Sequence, residues 1–289
     1  MFSLKSKVGK SAAIKPVAII NDRGGDLDKE LVYLYRKDDI DEENPEFFDD
    51  ISLPKHSNFE YFPDIREDFA DTFVLVGSRG SGKSTLASQI ALKIKKVFDL
   101  PDDAVTIVKK SPMPDPAFEK LGKYSTILVN EDFLDAGYTC ESFGDPSIPK
   151  VIILDDLDNI NSVKLKRAYQ TFQDDLYVSG RKYNLYVIVC RHSMAAGKDT
   201  KALLIESTYI VYFPDNLTSD FKYCLSKYCD MSDDLIREMK KIRSKWVMFH
   251  KDSPKFIISE FRMFIFDLDR EEEIAAENKR ERKRQLKEK

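Results

Sequence analysis

Short apolar runs alternate along the middle of the chain with segments whose apolar residues recur every three or four positions. The first pattern predicts buried strands, and the second predicts amphipathic helices. The predicted strands cover residues 73–76, 104–108, 125–129, 151–154, 184–190 and 207–213. Because strands and helices alternate through residues 71–245, we predict an α/β fold with a mostly parallel sheet that helices cover on both faces.

The flanking segments have other patterns. Residues 245–260, KWVMFHKDSPKFIISE, predict a β-hairpin, whereas the acidic stretch DDIDEENPEFFDD, residues 38–50, is predicted to be poorly ordered. KRERKRQLKEK, residues 279–289, is either a solvated charged helix or a basic arm that contacts DNA phosphates or a partner protein. We therefore expect three regions: an N-terminal extension over 1–69, a core over 70–262 and a charged tail over 263–289.

The composition and charge of the chain exclude only a few classes of protein. The 289 residues carry a net charge of −4, which gives no overall attraction to nucleic acid. No segment has the apolar length needed to span a bilayer, and Lys15 and Pro16 interrupt any secretory signal, so we expect a soluble, non-secreted protein. The four cysteines lack metal-binding spacing and are expected to be reduced, buried thiols: Cys140, Cys190, Cys224 and Cys229.

The stretch GSRGSGKST, residues 77–85, lies between the first predicted strand and a helix. Its glycines let backbone N–H groups approach an anion, and the helix N-terminus points further N–H groups at the same place. The stretch matches the complete phosphate-loop pattern, in which Lys83 reaches the β- and γ-phosphates and Ser84 ligates Mg²⁺. The alternative is a glycine-rich turn that merely opens a helix. The residues expected to bind nucleotide are Gly77, Ser78, Arg79, Gly80, Ser81, Gly82, Lys83, Ser84 and Thr85.

Two carboxylates end the apolar strand in KVIILDD, residues 150–156. Ligands bind at the C-terminal strand ends of an open parallel sheet, so these acids are expected beside the phosphate loop. Asp155 suits the outer coordination of Mg²⁺ through Ser84 and water, and Asp156 is the better candidate to polarise the attacking water. The alternative is that Asp155, Asp156 and Asp158 only cap the next helix.

Polar residues also bracket the strand over 184–190. Arg191, His192 and Ser193 follow it, where one side chain could sense the γ-phosphate, although each could equally be an ordinary loop residue. Arg181 precedes the strand and therefore lies at the sheet edge opposite its own phosphate loop. It could supply a guanidinium to the site of a neighbouring subunit, or form a surface ion pair.

Together these residues resemble the DNA-packaging ATPases of large nucleocytoplasmic DNA viruses, of the poxvirus virion type, which are related to the FtsK–HerA translocases. The resemblance lies in GSRGSGKST, in VIILDDLD, and in SGRKYNLYVIVCRHS, where a Gly-Arg pair precedes an Asn and an apolar strand. The segment IESTYIVYFPDN and the hairpin fit the same order of elements, so the similarity covers residues 70–262. In that family the second acid is commonly Glu, and Gln, Ser or His often follows the sensor strand.

The resemblance implies a RecA-like P-loop ATPase that hydrolyses ATP with Mg²⁺. It implies that Lys83 and Ser84 bind the phosphates and Mg²⁺, that Asp155 binds Mg²⁺, and that Asp156 and a trans-acting Arg181 serve catalysis. It further implies a homo-oligomeric ring, pentameric or hexameric, that translocates double-stranded DNA and docks on a capsid or portal-vertex protein. The implied location is a virus assembly site in the host cytoplasm, or the virion.

Two basic loops are candidates to line the channel of such a ring. One is the region around residues 111–123, with Lys109, Lys110, Lys120 and Lys123, and the other covers residues 195–201. Either could instead be a solvated loop.

Two other functions remain open from the sequence. One is a nucleotide or small-molecule kinase on the same scaffold, which would transfer phosphate to an acceptor instead of water. The other is a degenerate, non-enzymatic scaffold that binds ATP without turnover.

Overall fold

The computed structural model describes residues 1–40, 44–65, 70–194, 199–214, 219–229, 231–266 and 280. Its residues group into two compact units. Unit 1 comprises Met1–Glu60 and Phe213–Lys289, and unit 2 comprises Tyr61–Tyr212. These bounds differ from the predicted divisions after residues 69 and 262, because the N-terminal segment folds together with the C-terminal hairpin.

The described residues contain strands and α-helices that are numbered here in chain order. The strands are β1 Phe2–Ser3, β2 Lys7–Val8, β3 Ser11–Ala12, β4 Lys15–Asn21, β5 Leu31–Leu34, β6 Asp50–Ser52, β7 Asn58–Tyr61, β8 Thr72–Val76, β9 Val105–Lys109, β10 Ser125–Leu128, β11 Lys150–Asp155, β12 Leu185–Arg191, β13 Tyr209–Tyr212, β14 Val247–His250, β15 Phe256–Ser259 and β16 Arg262–Ile265. The α-helices are α1 Lys83–Val97, α2 Glu131–Ala136, α3 Val163–Ser179, α4 Asp199–Glu206, α5 Ser219–Cys229 and α6 Asp233–Lys241.

Unit 2 is built on parallel strands in the order β10-β9-β11-β12-β8-β13. Every residue of β8, β9, β12 and β13 is buried, as expected for strands that are covered on both faces. The crossover from β8 to β9 through α1 and the crossover from β11 to β12 through α3 run in opposite directions along the sheet. Because such crossovers are right-handed, α1 and α3 cover opposite faces. This confirms the predicted α/β fold.

The register of these strands places three strand ends side by side. Val76 at the end of β8 pairs with Arg191, and Cys190 on β12 pairs with Asp155 at the end of β11. The loops that follow β8, β11 and β12 therefore leave the same edge of the sheet, next to one another. This is the edge at which ligands bind in open parallel sheets.

Packing beneath this edge is apolar and aromatic. Leu86, Ile90 and Ile94 of α1 are buried on one face of the helix, as their spacing predicts. On the sheet, the rings of Phe73 and Tyr209 stack with centroids 5.0 Å apart and planes 6° from parallel. Stacked aromatic pairs of this kind stabilise a core beyond their burial alone.

Unit 1 consists mainly of antiparallel β-structure. One sheet has the order β1-β5-β4-β7, and another joins β14, β15, β16 and β6. The pairing of β14 with β15 confirms the predicted hairpin, to which β16 adds a further strand.

Part of the acidic segment is ordered against this unit, contrary to expectation. Phe47 is buried with its ring 5.0 Å from that of Tyr35, and Asp50 begins β6 and accepts a hydrogen bond of 3.0 Å from Arg262 Nε. Two buried aromatic rings offset the cost of ordering this otherwise charged stretch. The predicted charged helix falls on residues 267–279 and 281–289, which lie outside the described residues.

Candidate nucleotide-binding site

The loop over residues 77–82 joins β8 to α1 and needs glycine at two positions. Gly80 has φ +78° and Gly82, which precedes the first helical residue, has φ +99°, a region that side chains disfavour. The turn directs the free N–H groups at the start of α1 toward the loop, which creates a site for an anion. Ser78, Arg79 and Gly80 are exposed along its rim. The geometry matches the predicted phosphate loop.

Lys83 is buried, with 5% of its surface exposed, and its ammonium group lies inside the loop. Nζ donates hydrogen bonds to the carbonyl oxygens of Gly77 at 3.0 Å and Ser78 at 3.1 Å. The hydroxyl of Ser81 is buried in the same loop and has no hydrogen-bond partner among the described residues. A buried donor of this kind and a lysine fit a phosphate group, which would accept from both.

Ser84 and Asp155 meet at the mouth of the loop, as predicted. The Ser84 hydroxyl donates to Asp155 Oδ1 at 3.2 Å. Burial, and then the neighbouring Asp156, raise the pKa of Asp155 to about 6. A cation here would favour the ionised carboxylate, and hydroxyl and carboxylate oxygens suit Mg²⁺.

The described residues contain no group of three or more His, Cys, Asp or Glu side chains that could hold a metal ion. Mg²⁺ at a phosphate loop is usually bound through one or two protein oxygens together with substrate phosphates. Ser84 and Asp155 are the residues that would hold it.

Asp156 follows β11 in a left-handed backbone conformation, with φ +51°. Asp tolerates this region better than most residues, and an outlier at a strand end is typical of functional sites. Asp therefore suits this position better than the longer Glu would. The side chain is half exposed and its Oδ1 lies 3.1 Å from His192 Nε2.

Of the three sensor candidates, the structure brings His192 to the site. Its Nδ1 lies 3.4 Å from Lys83 Nζ, so a neutral ring with its proton on Nε2 can accept from Lys83 and donate to Asp156. Arg191 is buried, and its Nε donates to Asp158 Oδ1 at 2.8 Å. Arg191 is therefore engaged within the protein interior.

Asp158 is the site residue whose position the sequence reasoning missed. The sequence indicates Asp158 only as a possible helix cap, yet the hydroxyl of Ser162 caps α3 by accepting from the Leu165 N–H. The carboxylate of Asp158 instead binds the end of β12. The sequence signal was its place three residues after Asp155, in the loop that leaves the functional edge of the sheet.

The structure does not bring Arg181 to the other predicted residues. It is exposed on a short 3-10 helix, Gly180–Tyr183, directly before β12. The start of β12 lies at the opposite edge of the parallel sheet from the phosphate loop, as the sequence predicted. Its action on a neighbouring subunit stays a prediction.

The first candidate channel loop has both buried and exposed lysines. Lys109 is buried and donates to the Met113 carbonyl oxygen at 2.9 Å, and Lys110 donates to the Asn159 carbonyl oxygen at 3.0 Å. Lys120 and Lys123 are exposed. In the second candidate loop, residues 195–198 lie outside the described residues.

Two further expectations concern the whole chain. All four cysteines are buried, and none forms a disulfide in the described parts of the chain. Among the helices that the structure describes, none combines the length and apolar character that a membrane crossing requires.

The parallel sheet, the glycine-rich loop between β8 and α1 and the acids at the end of β11 define a P-loop NTPase fold. No protein-family model matches the chain. The uncharacterized protein V3 of Sputnik virophage is 27% identical over 198 residues, which cover 66% of this chain and 76% of that protein.

Solved structures with a similar fold include two proteins bound to ATP-γS. One is the genome packaging NTPase B204 from Sulfolobus turreted icosahedral virus 2, with 16% identity, coverage of 66% of this chain and 97% of that chain, and a TM-score of 0.44. The other is the pCW3 conjugation coupling protein TcpA, with 12% identity, coverage of 89% and 80%, and a TM-score of 0.44.

Proposed function

We propose that this chain is an ATPase that moves double-stranded DNA and packages a viral genome into a preformed capsid. The observation that carries the proposal is the meeting of Lys83, Ser84, Asp155 and Asp156 at one edge of the sheet. Lys83 and Ser84 lie within the phosphate loop, Asp155 contacts Ser84, and Asp156 lies one residue further along the same strand end. Every group that ATP hydrolysis requires from this chain is present there.

Each residue has a distinct part in the proposed reaction. The loop N–H groups and Lys83 bind the β- and γ-phosphates. Ser84 and Asp155 would hold Mg²⁺, which would neutralise charge on the phosphate oxygens. Asp156 orients a water molecule and accepts its proton. The water oxygen forms a bond to the γ-phosphorus while the bond from that phosphorus to the ADP oxygen breaks, which releases ADP and phosphate.

The site is proposed to be completed by a neighbouring copy of the chain in a ring of five or six. Arg181 lies at the opposite sheet edge from its own phosphate loop, so it can serve only the site of another subunit. A guanidinium placed against the γ-phosphate would stabilise the charge that develops in the transition state.

DNA contacts in the ring are proposed to be made to phosphates and to be independent of sequence. Lys110, Lys120 and Lys123 are exposed in the first candidate loop, whereas the buried Lys109 is unsuited to this contact. The further proposed partner is a capsid or portal-vertex protein. The proposed location is a virus assembly site in the host cytoplasm, or the virion.

Phosphate release from ATP tests this proposal, with and without linear double-stranded DNA and over a range of salt concentrations. We expect DNA to stimulate release and the stimulation to fall as salt rises. Lys83→Ala and Arg181→Ala should each abolish most release. Lys182→Ala, which removes an exposed charge from the same 3-10 helix, is the matched control and should retain activity.

Mixing the two inactive variants tests the shared site. In a mixed ring, the intact phosphate loop of Arg181→Ala can be completed by Arg181 from a Lys83→Ala subunit, so partial recovery is expected. A rate of phosphate release that DNA does not change at any salt concentration would contradict a DNA translocase. Release that requires an added phosphate acceptor would favour a kinase.

A further inference from the structure

Asp158 ties two neighbouring strand ends of unit 2 together. Its Oδ1 accepts the 2.8 Å hydrogen bond from Arg191 Nε, and its Oδ2 accepts a 2.7 Å hydrogen bond from the backbone N–H of His192. The side chains of Asp158 and Arg191 are 18% and 8% exposed. One carboxylate of the loop after β11 thus binds two consecutive residues at the end of β12.

His192, whose backbone this carboxylate holds, lies next to the proposed catalytic residues Lys83 and Asp156. The His192 ring bridges Lys83 and Asp156, with 3.4 Å from Nδ1 to Lys83 Nζ and 3.1 Å from Nε2 to Asp156 Oδ1. Because Asp158 holds the backbone N–H of His192, the His192 ring is kept within reach of both Lys83 and Asp156. Asp156 is half exposed and short, and the ring contact orients its carboxylate.

We propose that Asp158 is a positioning residue that holds His192 between Lys83 and Asp156, and so sets where Asp156 meets the attacking water. The part of this inference that concerns the water depends on the proposed function. The part that concerns the His192 ring does not. Arg191 supports the arrangement as the buried guanidinium that fixes the Asp158 carboxylate from its other side.

Kinetics of Asp158→Asn measure the effect on the reaction. The substitution preserves size but leaves one carbonyl oxygen to accept where the carboxylate offered two. We expect kcat to fall about 10- to 100-fold, because small displacements of catalytic groups have effects of this size, while KM for ATP stays within about twofold. Asp175→Asn is the matched control, since Asp175 also accepts a 2.7 Å hydrogen bond from a backbone N–H, that of Cys140.

A double-mutant cycle asks whether Asp158 acts through His192. In the His192→Ala background, Asp158→Asn should lower kcat no further, because the ring that it positions is already absent. Effects that multiply in the double variant, or a normal kcat in Asp158→Asn, would overturn the proposal. Asp158→Asn leaves the charged Arg191 buried beside a neutral group. The double variant Asp158→Asn/Arg191→Gln removes this unpaired charge as well.

Imidazole NMR gives a readout that does not depend on turnover. The chain has three histidines, so His192→Gln assigns the His192 ring signals directly. We expect Asp158→Asn to shift or broaden the His192 ring signals while those of His56 and His250 stay unchanged. Unchanged His192 signals would overturn the positioning role. A wild-type protein without ATP turnover would instead overturn the proposed function, and the ring signals would still decide the role of Asp158.

Discussion

Replacing Asp155 with Asn should stabilise the nucleotide-free protein while it removes hydrolysis. A carboxyl whose pKa is about 6 instead of 3.8 costs the folded state about 3 kcal/mol at pH 7, at about 1.4 kcal/mol per pKa unit. Burial is the main cause, so the neutral amide of Asn avoids most of this cost. Its carbonyl oxygen can still accept from Ser84. At pH 5 the advantage should fall to about half, because the folded protein then carries Asp155 largely protonated.

Thermal unfolding followed by circular dichroism, in EDTA and without nucleotide, measures this effect. At pH 7 a gain of about 3 kcal/mol corresponds to a rise in Tm of roughly 6–12 °C for a protein of this size. Asp156→Asn is the internal control, since it removes only the lesser cause of the raised pKa and should stabilise less. An Asp155→Asn protein that is no more stable than wild type at pH 7, or whose gain is the same at pH 5, would refute the reasoning.

Three other predictions follow from the backbone and from a buried histidine. Gly82→Ala should weaken binding of a fluorescent ATP analogue, whereas Gly137→Ala, at φ +56° away from the loop, should lower Tm without this loss. Asp156→Asn should keep ATP binding and lower kcat about 10²- to 10⁴-fold, and Asp156→Glu should also unfold more easily, by about 1 kcal/mol, because Glu suits φ +51° poorly. Burial, and then Lys15, lower the pKa of His250 well below 6.5, so folding stability should fall by about 1.4 kcal/mol per pH unit below pH 6.5 until that pKa is reached. Denaturant titrations from pH 7 to pH 5 should show a weaker dependence in His250→Gln.

The sequence predicted those parts of the fold and site that depend on local pattern. The strands of unit 2 lie within two residues of their predicted bounds, because each is a short apolar run with a clear end. The phosphate loop could be predicted because its residues are contiguous. The position of Asp155 could be predicted because the C-terminal ends of parallel strands all lie at the same edge of the sheet.

The remaining features depend on which strands become neighbours. The role of Asp158 requires β11 to lie beside β12, and the apolar runs do not encode that order. In unit 1, β6 pairs with β16 across about two hundred residues, and both strands are too short to give a periodic signal. Arg191 resembles a loop residue in the sequence, yet it ends a fully buried strand.

Displacement of a third strand from triplex-tagged double-stranded DNA tests the central claim most directly, since it reports movement along DNA and not merely ATP turnover. With ATP, the wild-type protein should displace the third strand. Asp156→Asn, which is expected to bind ATP without hydrolysing it, should leave the triplex intact. A wild-type protein that consumes ATP on this DNA and leaves the triplex in place would contradict the account.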